Sequence, residues 1–144
     1  MPPPSDPAFG GPKTSIPTFT YSQQTGALCV GGLYIGTGYS GRGDGLNNPA
    51  MQNVPLTGPL PVGFYTIGAA ETHPLLGPVV MALTPDETDV MFGRSEFFIH
   101  GDNQAENHTG SEGCIVLPLN SRRWLAICIS NLGWDRLEDR KSVV

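Results

Sequence analysis

Charged side chains and long apolar runs are both scarce in this sequence of 144 residues. Charged residues make up 15% of the chain, and 13 acidic against 8 basic residues give a formal net charge of −5. A protein that binds nucleic acid needs a basic stripe, so nucleic acid is not an expected partner. No apolar run approaches the roughly 20 residues of a membrane-spanning helix, so we expect no membrane span.

We expect no secretory leader either. The chain starts MPPPSDPAFGGPK, without the basic start and the apolar core of a signal peptide. A protein with this start that acts outside the cytoplasm would need an export route that reads no leader. The prolines concentrated in residues 1–17 predict an extended or flexible arm, or a linker remaining from a longer protein. Residues 18–144 are then expected to form one domain.

Cysteine is rare, with residues only at Cys29, Cys114 and Cys128. An odd number cannot all pair within one chain, and no Cys-x-x-Cys spacing is present, which argues against a zinc site. Cys29 lies in a strand-like run and Cys128 in a helical one, so we expect both to be buried and inert. Cys114 remains as the reactive candidate, and we expect no metal or other cofactor.

Glycine and proline are abundant, at 19 and 14 residues, and helical periods are few. This composition predicts a loop-rich, mainly β chain. A first hairpin is expected to turn at residues 24–26. The apolar runs that predict strands are Phe19–Tyr21, Leu28–Ile35, Phe64–Ile67, Val79–Leu83 and Phe97–Ile99.

One helix is predicted after Pro118. Apolar residues recur there at helical spacing, with Asn120 or Ser121 available as the N-cap and Gly133 as the C-terminal cap. We expect this helix to pack on the sheet through Trp124, Leu125, Cys128 and Leu132. A short strand is expected at residues 134–137, followed by a solvated charged tail.

The glycine-rich segment at residues 36–41 spells G-x-G-x-x-G after a predicted strand. In a dinucleotide-binding site this motif opens a helix, whose N-terminus receives the pyrophosphate. Here it runs into the sequence RGDGLNNP, which cannot be helical, so we reject a dinucleotide site. A glycine loop in which backbone packs closely against backbone or substrate is the better interpretation.

The chemistry is concentrated in the stretch FFIHGDNQAENHTGSEGCIVLP, residues 97–118. His100 ends one predicted strand, and Cys114 begins the next after a polar loop. If the two strands are adjacent, the imidazole can take the thiol proton and leave a nucleophilic thiolate. A cysteine beside Ile and Val is more often a small buried hydrophobe. The preceding Ser-Glu-Gly is poor core material, however, and favours the reactive interpretation.

Several segments carry a family resemblance. The His-Gly pair at 100–101, the polar loop and the Ser-x-Gly-Cys-Ile run at 111–115 resemble the signature of the L,D-transpeptidase (YkuD-like) catalytic domain. Glu112 stands where that family usually has His or Asn, and Val116 where it usually has Arg. With these departures, the Gly-Cys-Ile-Val-Leu-Pro ending is similar to the L,D-transpeptidase effectors exported by type VI secretion. The resemblance covers about Phe19 to Leu137.

The resemblance implies a mainly β fold, a sandwich of the L,D-transpeptidase type, with one substantial helix after the catalytic cysteine. It also implies an enzyme that attacks the tetrapeptide stems of peptidoglycan as an L,D-carboxypeptidase, an L,D-transpeptidase, or both. The Cys114 thiolate would attack the bond before the terminal D-alanine and form a thioester. Water or a second amine would then release the product.

The same resemblance assigns roles to individual residues. His100 is the expected base, with His108 as the alternative, and Ser111 would orient the imidazole or the loop. The backbone N–H groups of Gly113 and Cys114 would hold the oxyanion. The residues expected to contact substrate are Tyr39, Arg94, Gly101, His108 and Glu112.

For an effector, the implied site of action is the periplasm of the target cell, reached by secretion. The implied partners are peptidoglycan stem peptides, a periplasmic immunity protein and a component of the secretion machine. Two other classes stay open. A different cysteine hydrolase of cell-wall peptides is disfavoured because His100 precedes Cys114, whereas many such enzymes have Cys first. A non-catalytic binding module stays possible because the Glu112 carboxylate would oppose thiolate formation.

Overall fold

The computed structural model describes residues 16–102 and 113–142 of the chain. In these ranges the mainly β prediction, with one substantial helix after Cys114, is confirmed. A helix α1 (Leu119–Ile127) continues as a π-helical segment over Cys128–Leu132. The strands are β1 (Thr18–Ser22), β2 (Ala27–Val30), β3 (Leu33–Thr37), β4 (Tyr39–Ser40), β5 (Gly63–Ile67), β6 (Glu71–His73), β7 (Gly77–Pro85), β8 (Phe97–His100), β9 (Ile115–Val116) and β10 (Arg136–Arg140).

All ten strands belong to one mixed sheet with the order β3-β2-β1-β10-β5-β7-β8-β9-β4, and β6 pairs with β7 beside this path. The two outermost strands, β3 and β4, are consecutive in the chain and are separated only by Gly38. The sheet therefore curls until its two ends meet. Gly38 is required at the closure, because a Cβ there would lie 1.8 Å from the Val116 carbonyl oxygen.

The predicted first hairpin is confirmed, since β1 and β2 pair antiparallel around the turn at residues 23–26. The apolar run Leu28–Ile35 is not one strand, because Gly31 and Gly32 adopt φ of +54° and +82° and divide it into β2 and β3. The glycine-rich segment at 36–41 runs through β3 and β4 and opens no α-helix, although a single 3-10 turn follows at Gly43–Gly45, where no helical structure was expected. Its glycines serve the close approach of backbones.

The helix packs on the sheet with a narrower face than its sequence pattern predicts. Leu125 and Cys128 are buried in the core, whereas Trp124 and Leu132 are 37% and 54% exposed. The N-cap prediction was wrong: Pro118 occupies the cap position without a side-chain cap bond. Gly133 does end the helix in the left-handed conformation, at φ +70°. No helix within the described ranges is long and apolar enough to cross a membrane.

The tail prediction needs a correction, because the charged segment Arg136–Arg140 forms a central strand. β10 lies between β1, its parallel neighbour, and β5, its antiparallel neighbour. Its alternation turns Leu137 and Asp139 inward, and both are fully buried. The expected solvation of the tail therefore fails at Asp139, where the alternation of the strand overrides the polarity of the side chain.

Asp139 belongs to a buried polar cluster that is only partly satisfied. Its Oδ2 accepts a hydrogen bond of 2.7 Å from Gln23 Nε2, while its Oδ1 has no hydrogen-bond partner among the described residues. The hydroxyl of Tyr21, the residue opposite Asp139 in the parallel ladder, also has none in that part of the chain. Burial raises the pKa of Asp139 well above its usual range, so the folded protein favours the neutral acid.

We predict that Asp139→Asn stabilises the protein near neutral pH. The amide has the shape of the protonated acid and cannot ionise, which should remove about 1–3 kcal/mol of unsatisfied burial. Because the folded-state pKa is raised above the unfolded value, the contribution of Asp139 is present below that value and is lost as pH rises through the folded pKa. In urea titrations, the advantage of the variant should therefore grow with pH above about 4.

Asp86→Asn is the matched control, the same chemical change at an exposed carboxylate. Asp86 Oδ2 pairs with Arg136 at 2.8 Å, and this hydrogen bond lowers the pKa of Asp86. Asp86→Asn should weaken this hydrogen bond and slightly lower the stability of the protein at neutral pH, whereas Asp139→Asn should raise it. An Asp139→Asn protein that is less stable than the wild type at pH 7 would show that the ionised carboxylate is tolerated in the core.

Candidate active site

The site is built on the parallel pairing of β8 and β9. Ile99 pairs with Ile115 and His100 with Val116, and the Leu117 N–H donates to the His100 carbonyl at 3.0 Å. Continuing this register back by one residue sets Cys114 opposite Phe98. His100 and Cys114 are therefore offset by two positions along the strands and share a face of the sheet. The spacing corresponds to about 8 Å between their Cα atoms.

The imidazole of His100 is held in one orientation. Its Nδ1 lies 2.7 Å from the Gly101 carbonyl oxygen, and because a carbonyl can only accept, Nδ1 carries the proton. Nε2 is then the basic nitrogen. The side chain is 4% exposed, and its burial lowers the pKa of His100 below the ordinary 6.5. The ring is consequently neutral at pH 7 and able to accept a proton.

The thiol of Cys114 lies near a cation. Its Sγ is 3.9 Å from the Glu96 carbonyl oxygen, just before β8. Burial lowers the pKa of Arg94, while electrostatic attraction from Tyr65 and Cys114 acts in the opposite direction. That attraction is mutual, so the Arg94 guanidinium favours the thiolate form of Cys114.

Arg94 is fixed by backbone carbonyls. Nη1 donates to Gln52 and Pro59 at 2.5 and 2.7 Å, and Nη2 donates to Gly58 at 3.0 Å. Gly113 makes room for this guanidinium, because a Cβ at Gly113 would lie 2.2 Å from Nη2. Its φ of +125° is also a conformation that residues with side chains rarely adopt. The glycine before the cysteine is thus needed on both counts.

Strained backbone accompanies the thiol. Leu56, Phe92 and Glu96 all have positive φ, at +63°, +57° and +63°. Leu56 and Glu96 line a cavity of about 140 Å³ together with Arg94. Non-glycine residues in this region cost free energy and tend to cluster at functional sites. The Glu96 conformation sets the carbonyl that faces Cys114.

A larger cavity, of about 440 Å³, opens at the other end of the strand pair, where Gly101 and Val116 line it. Tyr39 and Asp102 form part of its wall, and the Tyr39 hydroxyl donates to Asp102 Oδ1 at 2.5 Å. The pKa of His100 is also lowered by the Arg122 cation and raised by the Asp102 carboxylate. The other lining residues are Thr37, Gly38, Gly101, Val116, Leu117, Pro118, Leu119 and Arg122.

The residues predicted from the sequence thus fall into two groups. Cys114, Gly113 and Arg94 gather at the amino ends of β8 and β9, whereas His100, Gly101 and Tyr39 gather at the carboxyl ends. The positions predicted for Ser111, His108 and Glu112 lie outside the described residues, as does most of the predicted arm, residues 1–15.

The two charged residues of the cavity wall, Asp102 and Arg122, were not predicted from the sequence. Asp102 directly follows the His-Gly pair and was assigned to the polar loop. Arg122 lies in a helix whose polar residues usually face solvent, and nothing in its spacing marks it as buried. Within the described ranges, no three His, Cys, Asp or Glu side chains are grouped closely enough to hold a metal ion.

The arrangement combines a thiol beside a guanidinium, a neutral imidazole with a defined basic nitrogen, and a polar cavity lined by Gly101, the residue after that histidine. These groups suit nucleophilic attack by sulfur with proton transfer through a histidine. Searches among curated proteins and among solved structures found no match. Comparison with protein families matches residues 35–131 to the Tlde1 domain. The match covers the residues at both ends of the β8–β9 pair, and the chain belongs to the Tlde1 domain family, a family of type VI secretion effectors.

Proposed function

We propose that this effector is a cysteine-dependent enzyme that modifies peptidoglycan, acting on tetrapeptide stems as an L,D-carboxypeptidase or as an L,D-transpeptidase that exchanges the terminal D-amino acid. The observation that carries the proposal is the β8–β9 register, because it sets Cys114 and His100 on one face of two paired strands. The family match and the resemblance of the Ser-x-Gly-Cys-Ile run support it.

In this mechanism, His100 Nε2 accepts the thiol proton as Sγ of Cys114 attacks the carbonyl carbon of the diamino acid. The C–N bond to D-alanine then breaks, the imidazolium returns the proton to the leaving amine, and a thioester remains on Cys114. Water or the amine of another amino acid attacks the thioester and regenerates the thiol. The neutral His100, with Nδ1 bound to Gly101, suits the first proton transfer.

Arg94 has a supporting role in this mechanism. Its cation beside Cys114 compensates the charge that forms on sulfur, and its bonds to Gln52, Gly58 and Pro59 keep it in place. These contacts of Arg94 therefore favour a role in thiolate stabilisation over direct substrate binding. The Gly113 and Cys114 N–H groups are the proposed oxyanion donors.

One observation favours a second candidate, a binding module on the same scaffold. Among the described residues, the imidazole of His100 bonds to the Gly101 carbonyl and the thiol of Cys114 to the Glu96 carbonyl. The imidazole and the thiol are therefore not hydrogen-bonded to each other. Catalytic hydrogen bonds are often long or poorly aligned until substrate binds, which keeps the enzyme as the first choice. Turnover measurements separate the two candidates.

We predict that Cys114→Ala abolishes turnover of purified muropeptides and that His100→Ala lowers it by about 10²–10⁴-fold, since each removes one half of the proton-transfer pair. Mass spectrometry would report loss of D-alanine for carboxypeptidase action and a mass change for exchange. In wild-type protein, the acid limb of kcat/KM should lie below pH 6.5, because the pKa of His100 is lowered from that value.

Cys29→Ala and His108→Ala are the controls for this experiment, as they make the same chemical changes elsewhere in the chain. Both should keep most of the activity. If His108→Ala is inactive while His100→Ala is unimpaired, His108 is the base. If wild-type protein leaves every muropeptide unchanged, the binding module becomes the better account.

We predict that Arg94→Gln slows alkylation of Cys114 by iodoacetamide and moves the pH midpoint of the reaction upward, because the thiolate loses its neighbouring cation. Arg94→Lys keeps the charge and should retain part of the effect, although it loses the bonds to several carbonyls. Peptide mapping would follow Cys114 separately from Cys29. An unchanged pH profile in Arg94→Gln would remove Arg94 from thiol activation.

For the site of action, we propose the periplasm of a target cell, with an immunity protein covering the cleft. Expression in a bacterium with a fused periplasmic leader should therefore arrest growth or distort cell shape, because peptidoglycan stems lie outside the cytoplasmic membrane. The same chain without the leader should be harmless, and Cys114→Ala should abolish toxicity. A leader-fused protein that is exported and folded but causes no defect would contradict this site of action.

A further inference from the structure

Arg122 is a buried cation in the wall of the cavity that Gly101 lines, and its charge acts on His100. The side chain is 7% exposed, although it comes from the first turns of α1. Nε donates to the Leu117 carbonyl at 3.0 Å, and Nη1 donates to the carbonyls of Pro78 and Val79 at 2.8 and 3.1 Å. These bonds fix the plane of the guanidinium.

The remaining nitrogen, Nη2, has no acceptor among the described residues. It lies against Gly101, where an added Cβ would be 2.6 Å from it, and Arg122 lines the cavity together with Gly101. Gly101 therefore leaves Nη2 uncovered on the cavity side. A guanidinium presents its donors as a rigid fork that matches a carboxylate.

The charge of Arg122 is also uncompensated within the described part of the chain, where no carboxylate lies within ion-pair distance of it. Burial lowers the pKa of Arg122, and the neighbouring Arg123 lowers it further. Burying a cation without a counter-charge is costly. An anionic group entering the cavity would relieve that cost.

The opposite charge is present on another wall of the same cavity. Asp102 carries it, and the Tyr39 hydroxyl orients its Oδ1. A carboxylate has further lone pairs for a second donor. The His100 imidazole experiences both charges, because its pKa responds to each of them. The cavity therefore has a positive charge in its wall at Arg122 and a negative charge at Asp102, and both act on the proposed base.

We propose that this cavity binds the zwitterionic head of an α-amino acid, with Arg122 holding its carboxylate and Asp102 its ammonium group. A polyanion such as a phosphate chain is disfavoured by Asp102, and a simple cation by Arg122. At about 440 Å³ the cavity is in the size range of small-molecule sites. The inference rests on the proposed peptidoglycan activity, because the charged residues of the cavity wall act on His100, the proposed base.

Two sources supply this chemistry. The side chain of a diaminopimelate residue in the stem ends in an ammonium and a carboxylate on one carbon. A free D-amino acid, the acceptor in an exchange reaction, carries the same pair. Binding of the first would select the stem, and binding of the second would select the incoming amino acid.

The main test changes the ligand and leaves the protein intact. Wild-type enzyme is given tetrapeptide stems with meso-diaminopimelate, with its side-chain carboxylate amidated, or with lysine, which lacks that carboxylate. If the stem is the source, kcat/KM should fall by about 10–100-fold for the amidated stem and for the lysine stem, mainly through KM. Each of these stems lacks the carboxylate and so loses a charged hydrogen bond to Arg122. If the acceptor is the source, D-alanine should outperform D-alaninamide in exchange by a similar factor.

Arg122→Lys tests the protein side, with Arg123→Lys at the exposed neighbour as the matched control. Arg122→Lys should reduce the ratio between acid and amide ligands toward 1, while the control keeps the wild-type ratio. A ratio is used because the variant also loses backbone bonds, and a stability loss lowers the rates of both ligands alike. Asp102→Asn should likewise reduce, toward 1, the ratio between ligands with a free ammonium group and ligands whose amino group is acetylated.

Equilibrium binding keeps this inference separable from the proposed function. Titration calorimetry with meso-diaminopimelate and with D-alanine, each against its amide, needs no turnover. Turnover with equal rates for acid and amide, together with equal binding, overturns the amino-acid pocket and leaves the proposed function standing. If no turnover occurs but binding depends on both the carboxylate and Arg122, the amino-acid pocket stands and the proposed function is overturned. If neither turnover nor binding occurs, the pocket and the proposed function are both overturned.

Discussion

The parallel pairing of β8 with β9 is the constraint on which the rest of the site depends. Parallel neighbours begin at the same edge of the sheet and cannot be joined by a tight turn. The pairing places the imidazole at the carboxyl end of a short strand pair and the thiol at its amino end, with a register offset of two residues. Everything proposed for catalysis follows from that offset. A slip of one residue would turn Cys114 to the opposite face, where Phe97, Ile99 and Ile115 form part of the core.

Local features of the chain could be predicted from its sequence, and long-range pairing could not. Apolar runs identified β1, β5 and β8, and the glycine at position 133 marked the helix end, because these signals depend on neighbouring residues. The parallel partner of β1 is β10, from the far end of the chain, and no local pattern encodes that contact. The same limit explains Asp139. Its sequence neighbours are charged, and only the insertion of β10 between β1 and β5 makes the position interior.

The candidate site was predictable to a similar extent. Spacing and flanking glycines singled out His100 and Cys114, because a nucleophile and its base have recognisable sequence surroundings. Arg94 was expected to contact substrate, and its bonds to backbone carbonyls instead suit a fixed cation beside sulfur. Arg122 escaped prediction because its burial comes from tertiary contacts with the carbonyls of Pro78 and Val79, on β7. An arginine in the first turns of a helix gives no sign of such contacts.

Arg94 and Arg122 solve one physical problem in the same way at the two ends of the strand pair. Arg122 is buried and Arg94 is partly buried, and each guanidinium donates to backbone carbonyls, which hold it without supplying a negative charge themselves. In a chain with only 8 basic residues, two such placements adjoin one short strand pair. A cation held by carbonyls keeps its field for a group that acquires or brings negative charge. In the proposed mechanism, that group at Arg94 is the sulfur of Cys114, which gains charge when its proton leaves. In the proposed amino-acid pocket, that group at Arg122 is the carboxylate of the ligand. Under these two proposals, the amino end of the strand pair prepares the nucleophile, the carboxyl end positions the reactant, and His100 transfers the proton.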